Sequence, residues 1–183
     1  MFTKEQKDLM LSTARDVISS CAKNENIKVN DAMMNISDEP MGVFVTLRKN
    51  EELRGCIGYV EGYKPLYESI PEMSEAAATR DPRFDPVKED EIEEISLEIS
   101  LLSPLERIES PEQVEVGKHG IVIKKGANKG LLLPQVATEN NWDSKTFLEH
   151  TCLKANLLSG SWKDEETEIY VFSAEVFGEG SDD

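Results

Sequence analysis

The 183-residue chain, 39% hydrophobic and 31% charged, is near the length of one ordinary domain and can bury a core without disulfide or metal staples. Its 36 acidic against 20 basic side chains leave a net charge of −16, which makes nucleic acid and anionic membrane surfaces poor general partners. No apolar run approaches the roughly 20 residues needed to cross a bilayer, and three widely spaced cysteines, Cys21, Cys56 and Cys152, read as free thiols rather than a disulfide framework or a Cys-x-x-Cys site.

The opening residues Met1–Gln6 lack the basic region and apolar run of a secretory signal, so a cytoplasmic protein is expected. Thr3 and Gln6 have capping-box spacing, and Met10, Ala14, Val17, Ile18 and Cys21 share one helical face, which predicts an amphipathic helix over the first two dozen residues. After a polar, turn-rich stretch from Asn30 to Pro40, Val43, Val45 and Leu47 alternate with Phe44 and Thr46 as in a strand. Lys49–Glu52 then forms a turn into a second strand, Leu53 to Val60, giving a hairpin. Ser69 with Glu72 offers a second capping box ahead of Met73, Ala76, Ala77 and Arg80, and Pro71 is compatible with that helix only in its first turn, so a break near Ser69 is predicted. Asp81-Pro82-Arg83-Phe84-Asp85-Pro86 stops it.

The acidic run Glu89–Glu94 reads as a solvated stretch. Ser96 to Ser103 alternates cleanly, with Leu97, Ile99 and Leu101 opposite Ser96, Glu98 and Ser100, as in a half-buried strand. His119-Gly120 leads into Ile121-Val122-Ile123, and a glycine-containing loop from Lys124 to Gly130 precedes Leu131–Leu133, which predicts another hairpin. Asp143 or Ser144 caps a helix carrying Phe147, Leu148, Thr151, Cys152 and Ala155 on its apolar side. Glu168 to Phe177 has both faces covered, as in a central strand, and residues 178–183 form an acidic tail with too little apolar content to order itself. Hairpins separated by helices predict an α+β fold with a mixed, mainly antiparallel sheet flanked by helices, in a single domain over residues 1–177.

The chemistry that these residues suggest centres on Leu53-Arg54-Gly55-Cys56-Ile57-Gly58. In a strand Arg54 and Cys56 share a face roughly 6–7 Å apart, within range for a guanidinium to favour a thiolate, so Cys56 is the candidate nucleophile; the alternative is a small buried hydrophobe beside a glycine bulge. His119, at a strand entrance, is the better placed of the two histidines, but no local motif ties it to Cys56. Glu98 is a candidate base or orienting group if it lies beside Arg54 or Arg83, with a structural ion pair as the alternative; Asp81 is read as a helix cap or stop or as a ligand contact, and Arg83 as facing an anionic ligand through its planar fork. Lys125–Gly130 lacks the Gly-Lys-Ser/Thr ending of a phosphate loop, and no short-spaced His, Cys or carboxylate set suggests a metal.

Leu53–Gly58 is at the same time the signature of the AMMECR-one-like domain family, which the chain resembles over most of its length: Gly42–Leu47 before it, Ala77–Phe84 after it, and Leu132–Ala137 with Trp142-Asp143 later all fit. Two positions depart from the family pattern: Pro71 sits where the family helix commonly runs on, and Asp85 replaces a usual proline. From the residues themselves no bound cofactor is expected; the resemblance implies a larger and a smaller lobe with a cleft between them and no settled activity. It also implies a modification pathway shared with Memo-like or radical-S-adenosylmethionine proteins, any iron–sulfur cluster belonging to the partner, since the three-cysteine motif is missing here. Two functional readings follow. In one, the chain is an enzyme or enzyme subunit whose cleft gathers Cys56 and Glu98 as catalytic groups with Arg54, Asp81, Arg83, His119 and Gln135 as ligand contacts. In the other, the same residues line a non-catalytic site for an unidentified small molecule or protein.

Overall fold

A computed structural model describes residues 2–180. The chain divides into two compact units, the first made of Met1–Leu102 with Glu175–Asp183 and the second of Ser103–Ala174. In the first unit, helix α1 (Lys4–Lys23) starts at the predicted capping box: the Gln6 N–H donates to Thr3 Oγ1 at 3.3 Å and the Thr3 N–H to Gln6 Oε1 at 2.9 Å. Met10, Ala14, Val17 and Ile18 are buried as their spacing requires, whereas Cys21 is only half-buried, at the edge of that stripe.

Strands β1 (Gly42–Lys49) and β2 (Glu52–Tyr59) form the predicted hairpin. Its turn places Asn50 and Glu51 at φ of 52° and 66°, the left-handed pair that suits the twist of a two-residue hairpin loop. Strand β3 (Ile95–Leu102) pairs with the other side of β1, so the sheet order is β2–β1–β3, antiparallel throughout. Val43, Val45 and Leu47 of β1 and Leu97, Ile99 and Leu101 of β3 turn to one face and pack there with α1 and with helix α2 (Leu66–Thr79).

Helix α2 corrects the expected break near Ser69. It runs unbroken from Leu66 to Thr79 with Pro71 inside it, and the Ser69 hydroxyl donates back to the Pro65 carbonyl at 2.9 Å instead of capping a new helix. An interior proline costs a helix about 3 kcal/mol. Leu66, Ile70, Met73 and Ala77 are all buried, on both sides of Pro71, and each large apolar side chain contributes about 1.5–3 kcal/mol on burial, so the continuous stripe outweighs the lost bond.

The second unit holds β4 (Glu106–Ile108), the hairpin β5 (His119–Lys125) and β6 (Asn128–Leu132), and helices α3 (Pro134–Glu139) and α4 (Ser144–Lys154). Strand β7 (Glu168–Gly178) lies centrally there, paired antiparallel with β4 on one side and β5 on the other. The β5–β6 loop is tighter than expected, turning at Gly126 with φ of 57°. Asp143 caps α4 through the Thr146 N–H at 2.7 Å, and Phe147, Leu148 and Cys152 enter the core with Ile121, Ile123, Ile169 and Val171.

The last residues of β7 belong to the first unit, where Phe177 joins its core. The first two residues of the expected acidic tail, Gly178 and Glu179, are ordered. Gly178 closes β7, and Glu179 is held from three directions: its N–H donates to the Leu97 carbonyl at 3.0 Å, and its carboxylate accepts from Leu97 N–H at 3.1 Å and from Arg15 Nε at 2.8 Å. Residues 181–183 of that tail lie outside the described residues. No helix among the described residues is long and apolar enough to cross a membrane.

Candidate functional site

In the first unit β2 pairs with β1 alone, which leaves one side of it as a sheet edge. Cys56 and Thr46 face each other across the hairpin, and the N–H and C=O of Cys56 point away from β1, off that edge. An edge so placed is a pairing hazard unless it is covered. Here the chain covers it with its own turn: Pro82 and the end of α2 stop the helix, and the Phe84 N–H donates to the Asp81 carbonyl at 3.1 Å. That turn carries Asp81 to the Cys56 N–H, which donates to Asp81 Oδ2 at 2.8 Å, while Arg83 Nη2 donates to the Cys56 carbonyl at 3.2 Å.

Asp81 and Arg83 close on each other as well. Arg83 Nε donates to Asp81 Oδ1 at 2.9 Å, its Nη2 to Oδ2 at 2.7 Å, and its backbone N–H to Oδ1 at 3.1 Å. The Asp81 side chain is 1% exposed. These Arg83 bonds, with the Cys56 N–H, hold its carboxyl well below the ordinary aspartate range despite burial, and Asp81 in turn raises the guanidinium.

Arg54 is engaged in the same manner. Its Nε and Nη2 donate to the two oxygens of Glu91 at 3.0 and 2.9 Å, and Nη2 also reaches the Pro86 carbonyl at 3.4 Å. Glu91 further accepts from the Lys88 N–H at 3.1 Å and pairs with Lys49 at 3.4 Å; the Arg54 guanidinium, before any other cause, lowers its carboxyl to about 2. The Phe84 ring has both guanidinium groups near it, Arg83 at 5.5 Å and Arg54 at 6.0 Å from its centroid.

The signature glycines answer to close packing. A β-carbon on Gly55 would collide with the Ala77 carbonyl of α2, and one on Gly58 with Val43 and the Phe44 ring. The ladder also slips between Leu47 and Arg48, where Leu47 faces Gly55 but Arg48 faces Leu53, so Arg54 is the extra residue of a bulge.

The face of the sheet turned away from α1 and α2 carries the thiol. Thr46 is opposite Cys56 on β2 and opposite Glu98 on β3, so Cys56, Thr46 and Glu98 form one row across three strands. The Thr46 hydroxyl donates to the sulfur of the half-buried Cys56 at 3.3 Å. Two strand spacings put Glu98 about 10 Å from Cys56 at Cα, beyond direct contact. Glu98 instead lines a hollow of about 280 Å³ with Arg48, Ser96 and Gly178.

Of the residues singled out in the sequence, Arg54, Cys56, Asp81 and Arg83 thus meet at the β2 edge, and Glu98 stands one strand beyond Thr46. His119 and Gln135 belong to the second unit. His119 opens β5, its Nδ1 accepting from the Glu115 N–H at 3.2 Å, and the carbonyl of Gln135, in the first turn of α3, accepts from Thr138 Oγ1 at 2.9 Å. Glu91 and Thr46 were not singled out. Glu91 sits in an acidic run that composition alone reads as solvent-facing, 37 residues from the arginine it binds. The hairpin turn alone would have paired Thr46 with Gly55, and it is the bulge at Arg54 that brings it opposite Cys56.

Among the described residues, no group of three or more His, Cys, Asp or Glu is arranged to hold a metal ion.

Residues 11–177 match the model of the AMMECR1 family. A protein of Aquifex aeolicus is 45% identical over 177 residues, which cover 93% of this chain and 91% of that protein. One of Methanopyrus kandleri is 50% identical over 150 residues, 77% of this chain and 72% of its own. The crystal structure of an uncharacterized protein from Pyrococcus horikoshii, 37% identical, superposes with a TM-score of 0.86 over 98% of this chain and 94% of that one. On the family model's match over residues 11–177, which includes the signature strand, and on the length of the matches to these relatives, the chain belongs to the AMMECR1 family.

Proposed function

We propose that the chain is a binding module, the non-catalytic member of a modification system, which receives a ligand or a partner protein on the outer sheet face around Cys56, Thr46 and Glu98. One observation carries this reading: the charged groups beside Cys56 are already engaged, Arg83 by Asp81 and Arg54 by Glu91, each through two guanidinium bonds. A nucleophilic thiol needs a base or an uncompensated cation within reach. The first unit contains no histidine, and Glu98 is one strand too far away to take the thiol proton directly. Arg54, Asp81 and Arg83 then hold the wall in shape, and Cys56 supplies a polarisable contact. His119 and Gln135 are contacts that the second unit offers on its own surface, and Memo-like or radical-S-adenosylmethionine proteins are the partners that this role implies.

The competing reading makes Cys56 a nucleophile, and the Thr46 hydroxyl aimed at its sulfur is the observation in its favour. Alkylation by iodoacetamide between pH 6 and 9, read by peptide mapping, separates the two. A binding module labels at Cys56 no faster than glutathione does at each pH. Cys56 labelling faster than glutathione at pH 6–7 overturns it in favour of the nucleophile.

A further inference from the structure

Elsewhere in the first unit, a hollow of about 380 Å³ opens between the 3-10 helix Asp31–Asn35 and α2. Its apolar lining comes from Met33, Met34, Tyr67 and Pro71, of which Met33 is fully buried and Met34 is 60% exposed. Its polar lining is lopsided in charge. Asp31, Glu68 and Glu72 stand against Lys64 alone, and Lys64 is already bound to Glu72 at 2.7 Å. Asp31 and Glu68 have no ion-pair partner among the described residues.

Pro71 leaves one carbonyl of α2 without its usual helix bond. It has no N–H, so α2 gives the Tyr67 carbonyl no bond from the residue four positions on, and both residues line the hollow. The proline thus does two things here: it contributes apolar surface, and it leaves a carbonyl out of the helix ladder.

We infer that this hollow is a binding site for a small organic cation, an apolar body of drug-fragment size bearing one amine or guanidinium group. The volume falls in the range of small-ligand pockets, which runs from about 300 to 1,000 Å³. The floor covers the apolar body, the thioethers of Met33 and Met34 adapt to its shape, and Asp31 and Glu68 face the cation. An anionic ligand is repelled by the same rim. The site shares no residue with the Cys56 face, so it stands or falls independently of the function proposed above.

The test uses the whole chain with ¹³C-methyl methionine and three matched probes: phenethylamine, phenethyl alcohol and 3-phenylpropionate. Saturable shifts of the Met33 and Met34 methyls are expected with the amine, at an affinity about two- to thirtyfold above the alcohol's, the range that two exposed carboxylates supply together. Asp31→Asn with Glu68→Gln, both at exposed positions, brings that ratio to about one while the methyl spectrum of the free protein stays folded. Equal binding of all three probes, or no shift at Met33 and Met34, overturns the proposal. So does a lysine-bearing peptide that moves these methyls when the amine does not.

Discussion

Gly55 is the residue whose identity the packing explains most directly. The collision awaiting a β-carbon there is with the Ala77 carbonyl, a backbone atom of α2, so no side-chain rotation relieves it and strand and helix must separate. Overpacking of this kind costs about 1–3 kcal/mol. Gly55→Ala should lower the urea midpoint accordingly, while Gly160→Ala, with nothing within 4 Å of the added carbon, should change stability by less than about 0.5 kcal/mol. Equal effects of the two would show that α2 does not rest on β2 as described. The neighbouring Cys56 has a different status: its backbone is tied down on both sides by Asp81 and Arg83, and its sulfur accepts from a threonine hydroxyl. The strand geometry would survive removal of the thiol, which is why labelling rate rather than folding is the measurement that bears on its role.

At the scale of elements, the segment from Asp81 to Glu94 works as a cover for the β2 edge, attached at one end by Asp81 and at the other by Glu91. Both carboxyls titrate below their ordinary range, Glu91 at about 2. The sign follows from that depression: each group releases its proton more readily folded than unfolded, so its stabilisation is complete above the unfolded values near 4 and is lost as pH falls through the folded ones. Urea unfolding of the wild type should therefore weaken steeply from about pH 5 toward pH 2. The double variant Asp81→Asn, Glu91→Gln should be less stable at pH 7 and show a shallower acid slope; parallel slopes would mean that other carboxylates govern the acid transition. The same cover explains why the run Glu89–Glu94 misleads when read from composition. Its charges look solvated, yet Ile92 is buried and Glu91 is a third-party partner to two strand cations, Lys49 and Arg54. The capping-box spacing at Ser69 misleads for the opposite reason: a local hydrogen-bond pattern is available, but burial of Leu66 and Ile70 ahead of it favours an earlier start at Pro65.

For the whole molecule, a net charge of −16 over 183 residues means self-repulsion in the compact state. Raising salt from low ionic strength to about 0.5 M at pH 7 shortens the screening length to a few ångströms, so the thermal midpoint should rise. A fall would show that the exposed ion pairs, such as Lys125 with Asp164 at 2.6 Å, outweigh the repulsion that salt screens. Within the chain, the elements whose signals are local were legible without coordinates: α1 from its capping box and stripe, the β1–β2 hairpin from alternation around a short turn, α4 from its aspartate cap, and β7 from apolar residues on both faces. Family membership was legible too, because ordered blocks survive in sequence whatever their geometry. Short elements such as β4 and α3 were not, since three or six residues carry no period. What only the tertiary structure decided is the partnership of the charges. Arg54 with Glu91, Asp81 with the Cys56 N–H, and Arg15 with Glu179 join positions 37, 25 and 164 residues apart. Sequence determines which charges exist and which strand face each can occupy; which opposite charge reaches it depends on where the chain returns in space, and no local periodicity encodes that.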